Sequence, residues 1–79
     1  MRETITRIFH EVYKEHVGED PPTPTNEMVL LESGVDSLGF AILVARLEEE
    51  LGFDPFSDSE EAYYPKTFGD FVTFYQKHS

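Results

Sequence analysis

The sequence predicts an all-α fold, a bundle of four helices with three longer members and one short third helix. Apolar residues recur at helical spacing in three separate runs, no run alternates with the two-residue period of a strand, and the prolines, with Gly18, Gly34 and Gly52, fall between the runs. These features leave a helical bundle with a long loop between the first and second helices.

The first run is Ile5, Ile8, Phe9, Val12 and Tyr13, an i, i+3, i+4, i+7, i+8 stripe that predicts a helix over residues 3 to 16. Gly18 is its stop. The segment from Glu19 to Asn26 has no period and contains Pro21, Pro22 and Pro24, which lack the amide hydrogen that a helix needs. A loop therefore runs to Asp36, and Leu30, Leu31 and Val35 are expected to pin it onto the bundle.

Residues Ser37 to Leu51 contain no proline and one glycine, and Asp36 is a favourable N-cap, so a second helix starts at Ser37. Its apolar residues form two stripes, one of Phe40, Leu43, Val44, Leu47 and Leu51, the other of Leu38, Ala41, Ile42 and Ala45. One stripe can face a core; the other needs a separate purpose. Gly52 ends the helix, and Phe53-Asp54-Pro55-Phe56 is a turn-rich link. The short third helix is expected over Ser57–Tyr64, where Ser57 with Glu60, or Asp58 with Glu61, has capping-box spacing before Pro65. Thr67 and Asp70 repeat that spacing ahead of Phe68, Phe71, Val72 and Tyr75, and predict a final helix reaching Lys77.

A chain of 79 residues reads as one domain, 1–79, with a single modest core. That size disfavours an autonomous enzyme with a deep, supported cleft. There is no cysteine, hence no disulfide, thiolate metal site or cysteine nucleophile, and any thioester sulfur must be brought in. The net charge of −10 argues against nucleic acid, whose affinity rests on Lys and Arg displacing counterions. Between Glu19 and Ala62 stand twelve acids and one base, Arg46, so partners are expected to be basic and to approach the middle of the chain. No apolar run approaches the roughly 18 residues needed to span a bilayer, and a cytoplasmic monomer is the expectation.

Gly34-Val35-Asp36-Ser37-Leu38 resembles the G-x-D-S-L signature of the carrier-protein family, the acyl and peptidyl carriers of fatty-acid, polyketide and nonribosomal peptide synthesis. Leu43, Val44 and Leu47, leading into Glu48-Glu49-Glu50-Leu51-Gly52, resemble the helix that follows it. Thr67-Phe68-Gly69-Asp70-Phe71-Val72 resembles the opening of the family's last helix. The resemblance implies a four-helix carrier bundle, with Ser37 as the attachment point for 4′-phosphopantetheine. A phosphopantetheinyl transferase would move that arm from coenzyme A with Mg²⁺, and Asp36 would cap the helix and help position the transferase's metal. It also implies Leu38, Ala41, Ile42, Ala45, Glu48 and Glu49 as contacts for partner enzymes with basic patches: an acyl-loading ligase or acyltransferase, a ketosynthase, or others of the pathway.

Two positions depart from the fatty-acid pattern. Gly39 stands where many such carriers have an acid, and Ile42 where they often have glutamate, which points to a specialised stand-alone carrier of fatty-acid, polyketide or lipid metabolism. The alternatives are a peptidyl or aminoacyl carrier loaded by an adenylating ligase, and a non-carrier helical interaction module.

Other candidates are weaker. A serine-hydrolase G-x-S-x-G needs glycine two residues before the serine, and that residue is Val35. His10, His16 and His78 have no paired metal spacing and read as surface residues. Asp54, Asp58, Glu60 and Glu61 lack the ladder of a calcium loop and read as a solvated acidic face. Phe40, Phe68 and Phe71, among seven Phe and four Tyr, are expected to fill the interior.

Overall fold

Three helices and the long loop between the first two share one hydrophobic core in the computed structural model, which describes residues 1–58 and 65–78. The helices are α1 (Arg2–His16), α2 (Ser37–Leu51), α3 (Pro55–Asp58) and α4 (Phe68–Lys77), with a 3-10 turn over Leu30–Glu32. Among the described residues the only β pairing is an isolated bridge.

α1 buries the stripe that its spacing predicts, Ile5, Ile8, Phe9, Val12 and Tyr13, each burial stabilising the fold by roughly 1.5–3 kcal/mol. It closes where Val17 and Gly18 donate their amides to the Tyr13 and Lys14 carbonyls, at 2.8 and 3.1 Å. α2 turns Leu43 and Leu47 into the core, with Phe40, Val44 and Leu51 packed partly buried beside them. Gly52 ends α2 in the left-handed conformation, its amide donating to the Glu48 carbonyl.

α1 and α2 run antiparallel. Arg7, early in α1, pairs with Glu50, late in α2, at 3.0 Å, while His16 at the end of α1 meets Asp36 at the start of α2. α4 opens with a complete capping box: the Asp70 amide donates to Thr67 Oγ1, and the Thr67 amide to Asp70 Oδ2. Behind it Phe71 and Tyr75 join Phe40, Phe53 and Phe56 in a run of tilted, edge-on and stacked ring contacts, with centroids 5.0–6.2 Å apart. Phe68 packs edge-on against Phe9 of α1, so the aromatics do fill the interior as expected.

The long loop is stitched to the opening of α4. Val29 bridges antiparallel to Thr67, the Leu30 amide donates to Lys66 O, Phe68 to Met28 O, and Gly69 to Asn26 O. Pro24, Leu30 and Val35 are buried. Leu31 corrects the expectation that it anchors the loop: it is 58% exposed. A 3-10 turn advances about 120° per residue, so with Leu30 inward its neighbour points away from the core.

The third helix also begins earlier than its sequence suggests. Pro55 takes the first helical position, where its missing amide costs nothing, and Asp54 caps the turn by accepting the Phe56 amide at 2.9 Å and the Ser57 hydroxyl at 3.0 Å. The remainder of the helix expected over Ser57–Tyr64 lies outside the described residues beyond Asp58.

Candidate functional site

Ser37 is the first residue of α2, exposed, and its hydroxyl makes no hydrogen bond among the described residues. Asp36 builds the helix start around it. With extended backbone (φ −88°, ψ −173°), its Oδ1 accepts the Gly39 amide at 2.8 Å and its carbonyl accepts the Phe40 amide at 2.9 Å. The amides of Ser37 and Leu38 have no acceptor within the helix and lie at the positive end of its dipole. A phosphate ester on Ser37 fits this setting: exposed oxygen, free donors and a favourable field.

The last turn of α1 supports this corner from beneath. Gly34, at φ +113°, lies against Tyr13: a Cβ there would stand 2.6 Å from the Tyr13 hydroxyl. Gly39 is buried under His16 and Val35, and a Cβ on it would come within 2.9 Å of Val35 Cγ1 and 3.1 Å of His16 Cδ2. The glycine that interrupts α2 is therefore a point of close approach between helices. The His16 ring above it places Nε2 3.1 Å from Asp36 Oδ1. A carboxylate only accepts, so Nε2 is the donor. The Gly39 amide first, and His16 after it, hold the Asp36 carboxyl below the usual carboxylate range.

His16 is exposed, as expected, but it is tied to Asp36 and is not a free surface side chain. The available signal was periodicity: position 16 follows Val12 and Tyr13 by four and three residues and extends their stripe. His10 is partly buried with Nε2 unpartnered, and His78 lies edge-on to Phe74 at 4.5 Å.

Of the six residues expected to meet partners, Leu38, Ala41, Ala45, Glu48 and Glu49 are exposed, Leu38 to 61%. Ile42 differs, being partly buried against the core. Arg46 is tied to Glu15 of α1, and Glu50 to Arg7, which leaves Glu48 and Glu49 without an ion pair among the described residues. The outer face of α2 therefore combines an apolar patch beside Ser37 with uncompensated acids further along.

A bundle that presents an exposed serine, unbonded among the described residues, at an open helix start can hold a phosphate-linked group there. A family model described as phosphopantetheine attachment site matches residues 3–59, well over half of the chain, and the chain belongs to that family. No curated protein and no solved structure gives a significant match. The family's cofactor is covalently attached 4′-phosphopantetheine, and its members carry their cargo without catalysing a reaction. The protein is accordingly a phosphopantetheine carrier, served by a phosphopantetheinyl transferase and by the enzymes of a pathway. Among the described residues no helix is long and apolar enough to cross a membrane.

Proposed function

We propose that Ser37 bears the phosphopantetheine arm and that residues 1–79 act as one acyl-carrier domain, carrying thioester-bound acyl groups in a specialised fatty-acid, polyketide or lipid pathway. The observation that carries this reading is the exposed, unbonded Ser37 hydroxyl at the first turn of α2, inside the matched family span. The arm brings the thiol that the cysteine-free chain lacks.

In the transfer, Ser37 Oγ bonds to a phosphorus of the coenzyme A pyrophosphate. That phosphorus loses its bridging oxygen to the departing adenosine 3′,5′-bisphosphate, and the serine proton passes to the transferase. The chain's own contribution is to hold the hydroxyl outward, to offer the Ser37 and Leu38 amides to the new phosphodiester, and to keep Asp36 on the helix cap.

Partner enzymes dock on Leu38, Ala41, Ala45, Glu48 and Glu49, an apolar patch with an acidic rim that suits basic docking surfaces. Two features favour a specialised pathway. Position 39 has no room for the acid that many fatty-acid carriers place there, because His16 and Val35 occupy the space, and Ile42 turns toward the core instead of offering a charge. The working form in this reading is a cytoplasmic monomer.

Incubation with coenzyme A, Mg²⁺ and a broad-specificity transferase should add one phosphopantetheine, read by mass spectrometry, and Ser37→Ala should abolish the addition. Modification that persists in Ser37→Ala would place the arm elsewhere.

A further inference from the structure

We infer that His16 is a positioning residue for the modification of Ser37, acting through Asp36. The inference rests on the reading of Ser37 as the arm's attachment point. Three observations converge on it. His16 Nε2 donates to Asp36 Oδ1 at 3.1 Å, the same oxygen that takes the Gly39 amide, so both bonds restrain one end of the carboxylate and Oδ2 takes neither. The residue lies at the surface, but its side chain is partly covered, 27% exposed against 69% for Asp36. The third is Gly39, whose missing side chain leaves the space that the ring edge shares with Val35 Cγ1.

His16 and Gly39 are therefore a fitted pair, with histidine on α1 and the absence of a side chain on α2. Gly39 continues the buried series of Leu43 and Leu47 on α2 at four-residue spacing, and it is the member of that series with no side chain, lying against Val35 and the His16 ring. What the pair does is fix a negative charge one residue from the oxygen that must attack an anionic pyrophosphate. A carboxylate held on one cap bond alone can swing about its side-chain torsions, and its charge then sweeps the approach to Ser37. A second donor from another helix stops that rotation and disperses part of the charge.

The test follows phosphopantetheine transfer by mass spectrometry, with coenzyme A, Mg²⁺ and one transferase, on the intact protein and on His16→Ala, His16→Gln and Gly39→Ala, with melting temperatures measured alongside. Loss of an exposed, charge-assisted bond should lower kcat/KM for transfer about three- to ten-fold in His16→Ala. His16→Gln, whose amide can still donate to Asp36, should recover most of that loss at a similar melting temperature. Gly39→Ala crowds both the His16 ring and Val35, so it should slow transfer in the native background and have less effect on transfer when combined with His16→Ala, where the ring is no longer there to displace. Transfer to His16→Ala at the native rate would overturn the inference, and so would equal losses in the Ala and Gln variants, because the bond would then be irrelevant. If the native protein accepts no arm at all, the carrier reading of Ser37 falls and the inference falls with it; normal native transfer with an indifferent His16→Ala removes the inference alone.

Discussion

The Tyr13 hydroxyl stands 2.6 Å from where a Cβ on Gly34 would lie. The contact joins α1 to the loop that delivers Asp36 and Ser37, at a residue whose φ of +113° is a conformation that only glycine holds without strain. Gly34→Ala should therefore cost about 1–3 kcal/mol from backbone strain, with the collision added to it. Tyr13→Phe removes the nearest colliding atom, so the double variant should be less destabilised than the sum of the singles in urea denaturation. Strict additivity would mean that the Tyr13 ring yields freely and does not support the loop.

Asp36 should give stability an acid limb of its own. Its carboxyl titrates below the usual range because the Gly39 amide, and then His16, favour the charged form. A lowered folded pKa stabilises the fold above the ordinary carboxylate pKa, near about 4, and this contribution fades as pH falls through the lowered value. Asn is also a good N-cap but does not titrate. The stability advantage of the native protein over Asp36→Asn should thus be full near neutrality and shrink below about pH 4. A gap in urea midpoints that is constant across that range would contradict the assignment.

Tyr75 is fully buried, and its hydroxyl has no hydrogen-bond partner among the described residues. Burial pushes its pKa up, since the phenolate would have no water around it. Tyr75→Phe keeps the ring contacts with Phe53, Phe56 and Phe71 and removes only the unsatisfied group. Stability should hold or rise, by up to about 1–3 kcal/mol. A clear loss in thermal unfolding would show that the hydroxyl is satisfied in solution.

Leu47 has no solvent exposure, and its truncation to Ala should cost about 2–5 kcal/mol. For a domain of this size that is a large share of a total of about 5–15 kcal/mol. Leu38→Ala, by contrast, at a position 61% exposed, should leave the urea midpoint within about 0.5 kcal/mol of native while weakening partner turnover of the loaded carrier. Unchanged turnover would remove Leu38 from the docking face.

The helices were legible because each has a local cause. The α1 stripe, the Asp36 cap, the Gly52 stop and the Thr67–Asp70 box act within a few residues, and all four appear where their spacing puts them. Ser37 was legible because the motif is contiguous. What could not be read is what depends on distant partners. Gly39 looks like a flaw in a helix until His16 is seen above it, and Leu31 looks like an anchor until the 3-10 turn rotates it outward. The start of α3 at Pro55 was hidden differently, because the same proline signals both a break and a first helical residue.

The Val29–Thr67 bridge also sets an order of events. Residues 26–30 of the loop that ends at Ser37 bond to residues 66–69, which lie far downstream in the chain, in addition to the loop's own short-range turns. α1 supports the serine's corner directly, through Tyr13 and His16, while the middle of the loop is fastened by the opening of α4. Fraying at Thr67 would be felt first at Val29, in the middle of the loop that leads to Ser37.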